Sequence, residues 1–238
     1  MARPRNADTT GDTRKRILRE SARLFSELGY QGASTRAITE AVGIKQPSLF
    51  HYFAGKEAIG HELIAARLAP TTLLTGQFEH SEDDPALDLY RLFRNEMIVE
   101  FNETIDTRWL FRLPPAVAEL FPEWGAAVEA GRSTMEAVLE RGIRAGVFLP
   151  GHPKAVLELF DAIANEAMFW PRDLHSVQPA TFAEVLLRLV IADQSAIAEV
   201  VKRAQTVEPD AGRPGAGGPG AGRPGAGGPG AGGPGASE

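Results

Sequence analysis

The stretch that decides the fold is VGIKQPSLFHYFAGKE, residues 42–57. Gly43 predicts a tight turn, and the residues after it predict a short helix over about Gln46 to Phe53. Pro47 is tolerated there because it lies in the first turn of the helix, where a missing N–H group leaves no hydrogen bond unmade. The stretch is also rich in aromatic side chains, since three of the four residues 50–53 are Phe or Tyr.

Two more helices are predicted upstream and one immediately downstream. The first runs from about Thr13 to Leu28 and is ended by Gly29. The second is capped by Ser34 and continues to Val42. Two short helices joined by a Gly-containing turn form a helix-turn-helix, in which the second helix lies in the DNA major groove. A further helix is predicted from Lys56 to about Leu68.

Helical spacing divides the second helix of this motif into two faces. Ile44, Leu49 and Phe53 are predicted to face the core. The opposite face holds side chains that hydrogen-bond bases or phosphates, or touch a thymine methyl group: Gln46, Pro47, Ser48, His51 and Tyr52. A two-helix turn is common in all-α proteins, so this pattern alone leaves coincidental helix packing open.

A longer segment is more specific. Residues 13–59, TRKRILRESARLFSELGYQGASTRAITEAVGIKQPSLFHYFAGKEAI, resemble the N-terminal domain of the tetracycline-repressor (TetR) family of transcriptional regulators. The similarity includes all four predicted helices in order, among them the LFHYF recognition helix, and covers 47 of 238 residues. It implies an all-α fold with a three-helix helix-turn-helix domain, followed by a helical-bundle domain that binds a ligand and dimerises.

The resemblance also implies roles for individual residues. Thr35 and Arg36 match positions that contact phosphate or a base, and Lys56 matches a Lys that holds a phosphate. The five residues of the polar face match the groove-reading positions. Phe50 stands where the family most often has Tyr, so it either packs against the sugar-phosphate edge or belongs to the small core. Lys45 replaces the usual Ser cap and is expected to add affinity for phosphate.

Charge is unevenly distributed along the chain, whose net charge is −6. The first 56 residues hold ten Lys or Arg and five acids, whereas the rest holds fifteen and twenty-six. This asymmetry fits a polyanion-binding head on an acidic body, although a solvated, Arg-rich first helix explains it equally well. No apolar run reaches the roughly 18 residues of a membrane span, and there is no Cys. We therefore expect a cytoplasmic protein.

Four segments are predicted from these patterns: a basic flexible arm (1–12), the helix-turn-helix domain (13–60), the helical ligand-binding and dimerisation domain (61–206) and a tail (207–238). The tail repeats PGAGG or PGAGR with a period of five, and it has almost no bulky apolar residue. Such a composition does not offset the entropy of ordering, which predicts disorder.

Long helices are predicted in the C-terminal body over about 85–105, 125–145, 152–170 and 180–205, with a shorter one at 71–80. The last helix is apolar around a wide part of its girth, so the last two long helices are expected to form a four-helix homodimer interface. A buried central helix in a monomer is the alternative. Aromatic and Met side chains that are candidates for lining a ligand pocket are Phe93, Met97, Phe101, Trp109, Phe111, Met135 and Phe169, with Arg108, Arg112 and Asn165 as polar anchors.

No catalytic or metal-binding motif is present in the sequence. The five His residues lack metal-ligand spacing, and no nucleophile elbow or phosphate-binding loop occurs. We expect no enzyme activity, no metal and no cofactor. The predicted function is a ligand-responsive, homodimeric DNA-binding regulator, most simply a repressor on a pseudo-palindromic operator that a small-molecule effector releases. The alternative is an all-α sensing protein without operator-specific DNA binding.

Overall fold

The fold is helical throughout the part of the chain that the structure describes. In a computed structural model these residues are 8–75, 78, 84–102, 105–167, 169–170 and 177–206. The helices are α1 Asp8–Gly32, α2 Thr35–Val42, α3 Gln46–Tyr52, α4 Lys56–Thr75, α5 Pro85–Asn102, α6 Pro115–Ala118, α7 Pro122–Arg144, α8 Pro153–Ala167, α9 Pro179–Val190 and α10 Ile197–Thr206, with 3-10 helices at Arg108–Arg112 and Gln194–Ala196. The predicted all-α class is confirmed.

Several helix limits differ from the sequence expectation. α1 begins at Asp8, inside the segment predicted as an arm. α4 continues to Thr75, so residues 71–75 extend it instead of starting a separate helix. The predicted domain boundary at residue 60 therefore falls within one continuous helix. Residues 1–7 of the predicted arm and the whole predicted tail lie outside the described residues.

The turns around α2 form for local reasons. Ser34 caps α2, because its hydroxyl accepts a hydrogen bond from the Ala37 N–H at 3.0 Å. Gly43 ends the helix with φ 75°, a left-handed conformation in which a Cβ atom would be strained. The Gly43 and Ile44 N–H groups then donate to the Thr39 carbonyl at 2.9 and 3.0 Å. These bonds hold α3 at a fixed angle to α2.

The expected single helix over 180–205 is wrong, because α9 and α10 are separate. Ile191 is extended and forms an isolated antiparallel bridge with Phe148. In this bridge the Leu149 N–H donates to the Val190 carbonyl at 2.7 Å, and the Ala192 N–H donates to the Val147 carbonyl at 2.9 Å. A continuous helix would need these backbone groups for its own hydrogen bonds, but here they bond to another segment. Helical periodicity does not reveal such a long-range contact.

Two main apolar clusters organise the chain up to Thr206, which belongs to one compact unit. The head cluster joins α1–α4 to the segment around the first 3-10 helix, and includes Phe25, Leu49, Ile59, Trp109 and Phe121. The body cluster surrounds α5 and draws on α7–α10. Since α4 also packs against α5 and α7, it links the two clusters.

Candidate nucleic-acid interface and the adjoining cavity

α3 separates its side chains into a buried and an exposed face, as its spacing predicts. Leu49 and Phe53 are buried in the head cluster, and Ile44 packs against that cluster. Lys45, Gln46, Pro47, Ser48, Phe50 and His51 are exposed. We call these six residues the α3 outer face. They lie on the solvent side of a short helix, and a major groove admits an α-helix.

Two aromatic residues of the opening stretch lie differently from the expectation. Phe50 is 51% exposed, so it does not belong to the small core. Tyr52 is only half-buried and packs against the head cluster, with its ring 5.6 Å from that of His51. Its phenol ring is therefore partly used in packing, whereas Phe50 offers an apolar ring to whatever the α3 outer face contacts.

Polar side chains at the start of α2 lie beside the start of α3. The Gln46 amide donates to the Thr35 hydroxyl at 3.3 Å, which brings these two predicted contact residues together. Arg36 is 81% exposed and donates to Glu40 at 2.9 Å, one helical turn away. Lys45 occupies the cap position of α3 without a side-chain capping bond, so its ammonium group is not used to complete the helix.

Lys56 stands at the first residue of α4, but its ammonium group is engaged within the chain. It donates to the Tyr30 carbonyl at 2.7 Å and lies 4.3 Å from the centre of the Tyr30 ring. Burial lowers its pKa from the ordinary Lys value, and burial together with the Glu57 charge raises the pKa of Tyr30 to about 12. The Tyr30 carbonyl takes one of the three N–H donors of this ammonium group.

The head joins the body through an aromatic junction at the start of α7. The ring of Phe121 meets the rings of Tyr30, Trp109 and His61 at 5.1, 5.7 and 5.1 Å between centroids. His61 also contacts Glu123, with Nδ1 at 2.6 Å from the carboxylate. These contacts tie α4 to the first turn of α7.

A second tie lies behind this junction, between α1 and the segment before the first 3-10 helix. Asp106 accepts hydrogen bonds from Ser26 at 2.8 Å and from Arg108 at 2.8 and 2.6 Å. Burial opposes its ionisation, but these bonds hold the pKa of Asp106 below its ordinary value. The carboxylate is thus held ionised between the head and the body.

A cavity of about 240 Å³ lies beside that junction, between α4, α5, α7, α8 and the first 3-10 helix. Its walls are mostly apolar, with Trp124 and Phe111 packed edge to face at 5.2 Å. Its polar lining consists of Arg67, Asn95, Glu96, Arg132, Asp161 and Asn165. An apolar enclosure with a few polar groups is the usual form of a small-molecule site.

With this geometry established, known proteins give a direct comparison. Residues 17–63 match the family model of bacterial regulatory proteins of the tetR family. These residues form a tetR-family helix-turn-helix domain. A relative is the HTH-type transcriptional repressor AcnR of Corynebacterium efficiens, which is 39% identical over 77 residues. That match covers 29% of this chain and only 41% of AcnR, so this chain spans less than half the length of that relative.

Solved structures extend the likeness to the body. The ketosteroid transcriptional regulator KstR2 of Mycobacterium tuberculosis has a TM-score of 0.65 at 21% identity, over 80% of this chain and 98% of that chain. AibR in complex with isovaleryl coenzyme A and operator DNA has a TM-score of 0.60 at 15% identity, over 74% and 97%. At these identities the likeness shows the fold: a tetR-family domain followed by a helical body.

The residues predicted to line a ligand pocket do not all meet in the cavity. Phe111, Met135 and the anchor Asn165 line it. Phe93 and Met97 are buried in packing around α5, and Trp109 belongs to the aromatic junction. Two more are taken up by other contacts: Phe101 packs on Phe182, and Phe169 lies under Arg112 at 3.8 Å. Arg108, the remaining anchor, pairs with Asp106.

Apart from Asn165, sequence reasoning missed the polar residues of the cavity lining. On α5, Leu92, Asn95, Glu96 and Val99 follow one another at spacings of three, one and three, which places two polar residues within an apolar helical stripe. A polar side chain on a buried face needs a partner or a function. That interruption of the stripe was the available signal.

Among the residues that the structure describes, no group of three His, Asp or Glu side chains is arranged to hold a metal ion. None of the described helices combines the length and the apolar composition needed to cross a membrane.

Proposed function

We propose that this protein is a ligand-responsive transcriptional regulator that binds a pseudo-palindromic operator as a homodimer, represses from it, and is released by a small-molecule effector. The observation that carries the proposal is the α3 outer face within a tetR-family domain. Six adjacent side chains are exposed there while Leu49 and Phe53 anchor the helix. Operator DNA also gives the reason for proposing a cytoplasmic location, and the proposal includes no catalytic step.

The functional groups on the α3 outer face and on its neighbours indicate which side chains contact bases and which contact phosphates. Gln46 and His51 offer donors and acceptors to base edges, whereas Phe50 and Pro47 offer apolar contacts to a thymine methyl group. Arg36, Lys45 and Lys56 supply positive charge to phosphates, which fixes register without reading sequence. Gln46 is already oriented by its bond to Thr35, so less rotational freedom is lost when it meets a base.

Support for a homodimer comes from exposed apolar side chains on α8 and α9. Leu159, Val185 and Leu189 are 62%, 52% and 57% exposed. We call these three residues the outer patch. In contrast, α9 buries Leu186, Leu187 and Val190 within the chain. One apolar side of α9 therefore packs in the core, and other apolar residues of the same helix stay exposed. A twofold dimer through the outer patch would present two α3 helices to two half-sites.

Communication between cavity and head is proposed to run through α4 and the first turn of α7. α4 places Ile59 and Leu63 in the head cluster and Arg67 and Leu68 on the cavity wall. At the start of α7, Trp124 lines the cavity, while Phe121 and Glu123 contact α4 through His61. A ligand that binds one arrangement of these helices better than another shifts the spacing of the two heads, and operator binding weakens ligand binding to the same extent.

A gel-shift titration with duplexes taken from upstream of the gene tests the proposal. The parent protein is expected to select at least one duplex at moderate salt. Arg36→Ala should weaken binding to all duplexes alike and flatten the slope of log affinity against log salt by about one unit. Gln46→Ala should relax preference at particular base pairs, worth roughly 1–3 kcal/mol if its contact is bidentate.

Arg144→Ala is the matched control, because Arg144 is an exposed Arg that likewise pairs with a Glu one turn away, on α7. It should bind DNA like the parent. If the parent selects no duplex, the regulator hypothesis fails and a sensing protein without operator binding takes its place. If the parent selects a duplex but Arg36→Ala and Arg144→Ala behave alike, the proposed phosphate contact of Arg36 is wrong.

A further inference from the structure

Glu96 lines the cavity and, within the described part of the chain, its carboxylate forms no ion pair. It lies half-buried on α5, and no hydrogen bond joins it to another described residue. Burial raises the pKa of this carboxyl group, an effect that the charge of Arg67 partly offsets. An unpaired carboxylate that is partly removed from water costs free energy, and the arrival of a cation would lower that cost.

The two arginines of the lining are already matched by other carboxylates. Arg132 pairs with Glu158 at 2.6 Å and also with Asp161. Arg67 pairs with Glu100 in a buried contact. Glu158 is 69% exposed, so solvent screens its charge; the enclosed set is then two arginines against Asp161, Glu100 and Glu96, an excess of one negative charge when Glu96 is ionised. A cation is therefore favoured in this cavity, whereas an anion would have to displace an existing ion pair.

The size and the walls of the cavity select an organic cation over a metal ion. About 240 Å³ is far more than an ion needs, and among the described lining residues Glu96 is the one carboxylate that is not in an ion pair. Trp124 and Phe111 present aromatic surface to the same space, and Met135 adds a polarisable apolar side chain. Aromatic faces attract ammonium groups and pack against apolar rings.

We propose that the effector is an amphipathic amine whose ammonium group pairs with Glu96 and whose apolar body packs between Trp124, Phe111 and Met135. The role of the amine as an effector rests on the proposed function, whereas its binding in the cavity does not. The ammonium replaces the missing partner of Glu96, and the apolar body displaces water from the walls. The amine also contacts Trp124, three residues from Phe121, and so reaches the aromatic junction that joins the cavity to the head.

Three compounds of equal shape test the inference by titration calorimetry on the full chain without DNA. Phenethylamine, phenethyl alcohol and hydrocinnamate carry an ammonium, a hydroxyl and a carboxylate on the same phenylethyl group. At about pH 8 an alkylamine with a Lys-like pKa is protonated. The parent should bind the amine about tenfold more tightly than the alcohol, a difference expected of one charge-assisted pair, and bind the carboxylate most weakly.

Glu96→Gln keeps the shape and removes the charge, so it should abolish the preference for the amine and leave the alcohol unchanged. Glu129→Gln removes the same charge from an exposed position on α7 and should keep the preference. The ranking of the three compounds by the parent tests the inference even if Glu96→Gln does not fold. Equal binding of amine and alcohol, tighter binding of the carboxylate, or an undiminished preference in Glu96→Gln each overturns it.

The effector role has a separate readout in the gel shift. Release of the parent from its duplex by phenethylamine, but not of Glu96→Gln, supports it. Amine binding that depends on Glu96 and leaves the DNA complex intact refutes the effector role. If duplex binding is normal and the amine does not bind, this inference fails while the regulator hypothesis stands. If the amine binds and no duplex is selected, the regulator hypothesis fails while the amine site stands.

Discussion

Gly60 is the point at which the smallest change in the chain should disturb the junction between head and body. It lies in α4, and a Cβ atom added there would stand 2.6 and 2.7 Å from the Cζ and Cε1 atoms of Phe121. Ordinary carbon contacts are about 3.5–4.0 Å, so the ring would have to move by about 1 Å. Phe121 is fully buried among the rings of Tyr30, Trp109 and His61, which leave it no free space.

The expected loss of stability in Gly60→Ala is estimated by comparison with a second helical glycine. Gly131 lies in α7, and an added Cβ there meets no atom within 4 Å. Both Gly60→Ala and Gly131→Ala gain about 1 kcal/mol from helix propensity, but only Gly60→Ala overpacks a core, at a cost of about 1–3 kcal/mol. The free energy of unfolding of Gly60→Ala should therefore lie about 1–3 kcal/mol below that of Gly131→Ala, roughly 2–4 °C in Tm per kcal/mol.

Urea denaturation followed by circular dichroism measures this difference, and a double-mutant cycle identifies its cause. Phe121→Leu removes the two ring atoms that the methyl group added by Gly60→Ala would meet. Gly60→Ala should therefore cost less in the Phe121→Leu background, by about 0.5–3 kcal/mol. If Gly60→Ala is as stable as Gly131→Ala, or costs the same in both backgrounds, the proposed clash with Phe121 is wrong.

Two further predictions concern the body. Gly142→Ala should lower the free energy of unfolding by about 1–3 kcal/mol in urea, because its Cβ would overlap the buried Phe148 ring; stability equal to Gly131→Ala would contradict this. Leu189→Glu places a charge in the outer patch and should shift the mass measured by light scattering after gel filtration from dimer to monomer. Leu28→Glu, at a similarly exposed position on α1, is the control and should leave the mass unchanged. A dimer that persists in Leu189→Glu at the parent's concentration would exclude the outer patch as the interface.

The local elements of the head were predictable from the sequence because short-range chemistry specifies them. Ser34 caps α2, Gly43 adopts the left-handed turn, and Leu49 and Phe53 anchor α3, all as their residue types and spacings indicate. Phe50 was left open between core and surface, and burial decided it. Spacing alone does not decide how far a boundary residue is covered, since the covering atoms come from other helices.

The cavity was less predictable, because its walls come from residues far apart in sequence. Aromatic composition alone did not separate Phe111, which lines the cavity, from Phe93, which packs on Phe160 at 4.3 Å. The predicted helix over 180–205 was wrong for the same reason, since the segment around Phe148 forms a β-bridge with the segment around Ile191, more than forty residues away.

The sequence by itself determined the helical class, the helix-turn-helix and most of the exposed face of α3, because capping, turn chemistry and helical period act within a few residues. Only the tertiary structure decided that Glu96 faces a cavity without a partner, that Lys56 is held by Tyr30, and that α4 joins the cavity to the head. Each of these depends on which atoms the packed helices bring together, and a one-dimensional pattern does not contain that information.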